Sequence, residues 1–216
     1  MKALIFTMKV LFAAGLVVWF AGCYPTDQSK ANSESKAEIP TLKPVSDTAW
    51  DSLRSQGKLI VKETFMALSS ELKKAIQEGG VPHALSFCNT AALPVTDSLA
   101  KIYDVDIKRV SLKNRNPLNE ADAFEASLIE TVSMLGIADL SSVNMLVRDA
   151  DDFPVYAQPI IVGESCLPCH GSIEKDIAPA NLKLIRDLYP DGKAVGYKVG
   201  DLRGIWRIRF NTKSSL

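Results

Sequence analysis

Five consecutive residues late in the chain, Cys166-Leu167-Pro168-Cys169-His170, constrain it more than any other stretch. Two thiols three positions apart, with a histidine directly behind the second, form the attachment signature of c-type haem. The spacing has a physical basis: each sulfur forms a thioether to one vinyl group on one edge of a porphyrin, and the adjacent imidazole turns beneath the ring to reach the iron. Two other chemistries use Cys-x-x-Cys. A zinc site needs two further ligands at similar spacing, and the chain has only four cysteines and two histidines. A redox disulfide has no use for His170. The expectation is one covalently attached haem c, with Cys166 and Cys169 as anchors and His170 as an iron ligand.

The N-terminus reads as a targeting signal. Lys2 and Lys9 surround an apolar run that continues from Leu11 to Phe20 and ends at Ala21-Gly22-Cys23, too short to span a bilayer comfortably and followed by small residues. Phe20-Ala21-Gly22-Cys23 resembles the bacterial lipoprotein box, in which cleavage leaves the cysteine as a lipidated first residue. Residues 1–22 are then a signal peptide and Cys23 the membrane anchor. The competing reading is an uncleaved membrane helix from Leu4 to Ala21, near the lower length limit for a span. Either way the folded part is expected outside the cytoplasm, on the periplasmic or outer-membrane side of a bacterial envelope, where c-type haem is attached after export.

That assignment leaves Cys88. An unpaired thiol in an oxidising compartment calls for pairing, burial or use as a metal ligand. The rest of the composition is that of an ordinary globular protein able to build a core, 216 residues with 47% hydrophobic and 23% charged side chains. Net charge is zero and the basic residues are spread along the chain, so no nucleic-acid partner is expected.

Residues 23–46 are rich in Ser, Lys, Thr, Glu and Pro and poor in large apolar side chains, a composition that cannot order itself and reads as a flexible tether. The domain is expected over 47–216. Asp47 or Thr48 caps a long helix with Trp50, Leu53, Ile60, Val61, Phe65, Leu68, Leu72 and Ile76 at helical spacing, closed by Gly79-Gly80, with Gly57 marking a bend or break. A short helix carrying Cys88 follows Pro82, and Pro94 starts another that ends near Tyr103. Asp106 to Lys113 alternates as a strand, and Ala121 to Leu135 is a helix stopped by Gly136. Val143–Arg148 and Pro154–Val162 read as a hairpin, Asn181–Tyr189 as a helix and Gly204–Phe210 as a last strand. The sum is α+β, a small antiparallel sheet with flanking helices. The motif follows the second hairpin strand directly, so the haem is expected to hang from the sheet edge.

Four segments in this order carry a resemblance: Phe87-Cys88-Asn89; Arg109-Val110-Ser111-Leu112-Lys113-Asn114-Arg115-Asn116-Pro117-Leu118-Asn119; Cys166 to Gly171; and Gly196-Tyr197-Lys198-Val199-Gly200-Asp201-Leu202-Arg203-Gly204. They are similar to a family of single-haem c-type domains with a PAS-like fold, formerly catalogued as a domain of unknown function, over roughly Lys58 to Phe210. The resemblance implies that the iron is held by the motif histidine on one side and a cysteine on the other, which carried over are His170 and Cys88. His83, five positions before Cys88, and Met145 are the competing sixth ligands, the first as an ordinary imidazole ligand and the second as in His/Met cytochromes. A thiolate ligand stabilises ferric iron and lowers the reduction potential, and protonation of that sulfur on reduction would open a coordination position. Arg115, Arg109 and Lys113 are the candidate partners of the haem propionates. Trp206 and Tyr197 pack either on the ring or in the sheet core.

Three functions are compatible with a haem so held. The first is low-potential electron transfer with a redox partner protein. The second is a redox or diatomic-gas sensor acting through a partner, which the PAS-like resemblance suggests. The third is catalysis at the iron. About six residues follow the last expected strand, so no output segment is expected, and two protein ligands on the iron oppose catalysis. Electron transfer ranks first, sensing close behind it and catalysis last.

Overall fold

The computed structural model describes residues 47–135 and 140–212. The expected leader, Cys23, the tether and the helix-stopping Gly136 lie outside them. Within them the chain is α+β, as the alternation of helical and strand periods implied. Helix α1 (Asp47–Thr90) and helix α2 (Ala92–Tyr103) lead into strand β1 (Val105–Val110), and helix α3 (Ala123–Met134) follows a loop. Strands β2 (Met145–Arg148) and β3 (Pro154–Ile161) form the hairpin, short helix α4 (Leu167–His170) carries the motif, and helix α5 (Pro179–Leu188) and strand β4 (Leu202–Phe210) complete the chain. The periodicities implied a small antiparallel sheet with flanking helices and a long N-terminal helix, and this is the architecture observed.

All strand pairs are antiparallel, in the order β1-β4-β3-β2. The last strand therefore inserts between the first and the hairpin, and the side-chain alternation gives the sheet two different faces. On one face Leu53, Ile60, Val61 and Leu68 of α1 recur at helical spacing and bury against Ile107, Tyr156, Trp206 and Ile208. On the other, Leu128 and Ile129 of α3 cover Val110, Val155, Ala157 and Ile205. Each of these aliphatic side chains contributes about 1.5–3 kcal/mol by leaving water. The α3 face also holds Glu125, only 1% exposed, between Lys108 at 3.2 Å and Arg207 at 3.0 Å. Its carboxylate closes a capping box with Asp122 as well.

The sheet corrects the expected position of the motif. β3 is an interior strand, flanked by β2 and β4, so the motif leaves from the end of the sheet rather than from its edge. Gly57 marks no break either. α1 runs through it because a Cβ there would sit 2.3 Å from the Tyr156 ring, and the helix approaches the sheet more closely than any side chain allows. The Gly79-Gly80 signal does correspond to an interruption: Gly80 has φ +67°, and the helix resumes beyond it as the segment that bears Cys88. The first strand stops at Val110, short of the expected Lys113, because the Ser111 N–H turns to the Asn119 carbonyl at 3.1 Å and closes a loop. Asn116 caps that loop by accepting from the Leu118 N–H at 2.9 Å.

Two predictions follow from this packing. Gly57→Ala gains about 1 kcal/mol of helix propensity but forces a methyl into a tyrosine ring that is fully buried, an overpacking worth about 1–3 kcal/mol. The net expected outcome is a lower melting temperature, and an unchanged or raised one contradicts the close approach. At the hairpin turn, burial alone pushes the Asp149 carboxyl up, but Arg209 and the N–H groups of Phe153 and Asp151 outweigh it and hold it below the usual range. A depressed carboxylate stabilises the fold above its unfolded-state value and loses that contribution as pH falls through its folded-state value. Asp149→Asn should therefore flatten the acid limb of the stability profile while Gly57→Ala leaves its shape unchanged.

Candidate functional site

The motif is short and tightly folded. A 3-10 turn at Glu164–Cys166 runs straight into α4, with Pro168 in its first turn, where the missing N–H is harmless. Cys166 and Cys169 are half-buried free thiols with no disulfide between them. A loop from the far side is laced to the end of this helix, the Tyr197 N–H donating to the His170 carbonyl at 3.0 Å and the Gly196 N–H to the Gly171 carbonyl at 2.7 Å. That loop also delivers the Ala194 carbonyl to within 2.9 Å of His170 Nδ1. Burial, reinforced by Arg203 and Arg115, pulls the His170 imidazole down to about 3, so the ring is neutral at physiological pH.

Cys88 comes to the same place from α1. It lies one turn beyond Leu85, which packs with Cys169, Ile177 and Ile185 in an apolar cluster, so the resumed helical segment is pinned against α4 and α5. Burial raises the Cys88 thiol, while Arg109 and Arg115 pull it the other way. Cys169 is pushed up to about 11, first by burial and then by the proximity of Cys88, with Arg115 opposing. The structure thus brings the motif thiols, His170 and Cys88 into one electrostatic neighbourhood with arginines.

The two competing ligands are elsewhere. His83 sits at the surface beside Gly79, its Nε2 3.5 Å from a Glu78 carboxylate oxygen. Met145 packs on the α3 face of the sheet, opposite to the face that α1 covers.

Arg109 reaches from β1 over the ring of its cross-strand partner Trp206, at 5.8 Å from the ring centre. Trp206 is itself sheet core, 5% exposed. Arg115 Nη2 donates to the Cys169 carbonyl at 2.5 Å and to the Ala194 carbonyl at 2.8 Å, and stands 3.1 Å from His170 Nδ1. Lys113 donates to the Val195 carbonyl at 2.8 Å and lies over Tyr197. Arg203 faces the same tyrosine and binds Ser111 Oγ at 2.8 Å and the Lys113 carbonyl at 3.0 Å.

Arg203, Tyr189 and the Ala194 carbonyl were not singled out from sequence. Arg203 lies inside a segment that carried the family resemblance, and that was its available signal. A backbone carbonyl has no sequence signature.

Burial lowers the proton affinity of all three guanidiniums, Arg109, Arg115 and Arg203, yet none of them forms an ion pair among the described residues. Arg115 Nη1 and Asn114 Oδ1 are buried without a hydrogen-bond partner. Desolvated cations and an orphaned donor mark a place for an anion. Among the described residues no three or more His, Cys, Asp and Glu side chains converge on a common point. A haem would suit this donor set: its vinyl carbons would meet Cys166 and Cys169, its iron His170 and Cys88, and its propionates the arginines.

No curated protein matches the chain. A solved structure, that of the cyanobacterial heme-protein Tll0287, is similar at 22% identity, covering 69% of this chain and 93% of that one with a TM-score of 0.48. The Tll0287-like family model matches residues 29–211, beginning inside the stretch read as a tether. With most of its length matched, the chain belongs to the Tll0287-like family.

Proposed function

We propose that the chain is an extracytoplasmic c-type haem protein, anchored to a membrane by lipid on Cys23 and serving low-potential single-electron transfer to or from a partner protein. The observation that carries the reading is the packing of the Cys88-bearing segment against Cys169 of the motif, beside Arg115, which binds the Cys169 carbonyl and has no carboxylate partner. Haem bound there supplies a one-electron ferric/ferrous couple. The chain's own residues set its conditions. His170 offers a neutral imidazole whose Nδ1 is engaged by the Ala194 carbonyl. Burial raises the Cys88 thiol while Arg109 and Arg115 pull it back; deprotonated on binding iron, its sulfur would favour the ferric state. The cluster of Leu85, Ile177 and Ile185 keeps water from the motif side. Two protein ligands support electron transfer over catalysis.

One feature favours a second reading, a sensor of redox state or of a diatomic gas. Cys88 rides on a helical segment set off from the rest of α1 by the kink at Gly79-Gly80, a backbone conformation that glycine adopts freely, where a change in iron ligation could be passed on to the longer part of α1.

A reductive titration followed by absorption, with and without carbon monoxide, separates the two. Electron transfer predicts a low-spin iron inert to carbon monoxide in both states, whereas rapid binding to the reduced form supports sensing. Cys88→Ala should change the ferric spectrum; an unchanged one removes Cys88 as a ligand and turns attention to His83. For the anchor, fatty-acid label should enter the full chain and be lost in Cys23→Ala, and label retained in that variant contradicts lipid attachment at Cys23.

A further inference from the structure

Arg115 occupies an unusual position for a propionate partner, because one of its two terminal nitrogens is already committed to backbone. Nη2 carries two hydrogens, and two carbonyls accept them: Cys169 at 2.5 Å, in the last turn of α4, and Ala194 at 2.8 Å, in the loop after α5. No hydrogen of Nη2 is left for His170 Nδ1, although that atom stands only 3.1 Å away. Nδ1 in turn lies 2.9 Å from the Ala194 carbonyl oxygen, which has a second lone pair to offer. The only arrangement that satisfies all four groups puts the imidazole proton on Nδ1, donating to Ala194. Nε2 is then left with a free lone pair, the form in which an imidazole ligates a metal.

We propose that Arg115 is the positioning residue of the His170 imidazole: the two hydrogens of its Nη2 hold the Cys169 and Ala194 carbonyls together, and so fix both the tautomer and the rotation of His170. This rests on the haem reading above and adds a role for one side chain of the same site. The remaining nitrogen, Nη1, is buried and unpartnered, so the same guanidinium stays available to an anion. The planar guanidinium matters, because it fixes the directions of the two Nη2 hydrogens, whereas a lysine ammonium carries the charge on a freely rotating, shorter-reaching group. Tyr189 lies under the same guanidinium, its ring centre 5.7 Å from the guanidinium carbon.

The test uses the full-length protein loaded with haem. Low-temperature electron paramagnetic resonance of the ferric state reads the orientation of the imidazole through the spread of g values, and absorption of the denatured protein in alkaline pyridine reads covalent haem independently. Wild type should give one sharp low-spin set, and both Arg115→Ala and Arg115→Lys should give a broadened or mixed set at unchanged haem content. A lysine variant with the wild-type g values overturns the proposal, since Arg115 would then act through charge alone. So does an alanine variant that only melts earlier, with its g values intact. Should Arg115→Ala fail to fold, the lysine variant decides alone. Absence of haem from the wild type itself would defeat the functional reading instead, and the pyridine spectrum tells the two failures apart.

Discussion

Three half-buried guanidiniums without a carboxylate, one with its Nη1 buried and unpartnered, are the constraint on which the rest of the site depends. Arg109, Arg115 and Arg203 come from strand, loop and strand, and each is partly relieved by aromatic faces or backbone carbonyls. None of these partners carries a negative charge. Taking an ion out of water costs several kcal/mol when no opposite charge replaces the lost hydration. Elsewhere the chain respects that rule. Arg207 on the α3 face meets Glu125 and Asp106, and Arg209 meets Asp149. The arginines near the motif therefore differ from Arg207 and Arg209, whose charges are matched by carboxylates.

The architecture explains how such a site is held. α1 buries its first half against the sheet, where Gly57 lets it approach the Tyr156 ring, and the break at Gly79-Gly80 redirects the remainder toward α4 and α5. β1 and β4 lie side by side, so the loop after β1 and the loop before β4 meet. Ser111 Oγ donates to the Arg203 carbonyl at 2.7 Å across that junction. The motif helix is then clasped from the Arg115 side and from the Ala194–Tyr197 side at once. A four-residue helix has little stability of its own, so its geometry is dictated by these neighbours.

Much of this was legible in the sequence because the signals were chemical. The motif at Cys166–His170 reads by spacing alone, and counting cysteines isolates Cys88 before any contact is known. Alternating and helical periods gave the α+β class and nearly every element. What escaped was relational. Gly57 looks like a helix breaker because its reason for being there, the Tyr156 ring, is about a hundred positions away. Strand order is likewise unreadable from local pattern: the last strand slides between the first and the hairpin, which moves the motif from a sheet edge to a sheet end. Arg115 could be noticed as a cation near the motif, but its engagement with two carbonyls depends on backbone atoms that leave no trace in residue identity.

The central claim is covalent, and the mass of the intact chain tests it most directly. Produced with the machinery for haem attachment in an exporting bacterium, the protein should carry the mass of one haem that survives denaturation. Replacing Cys166 and Cys169 together by alanine should remove it. A denatured chain of unmodified mass, or a haem mass that persists in the double variant, would contradict the account.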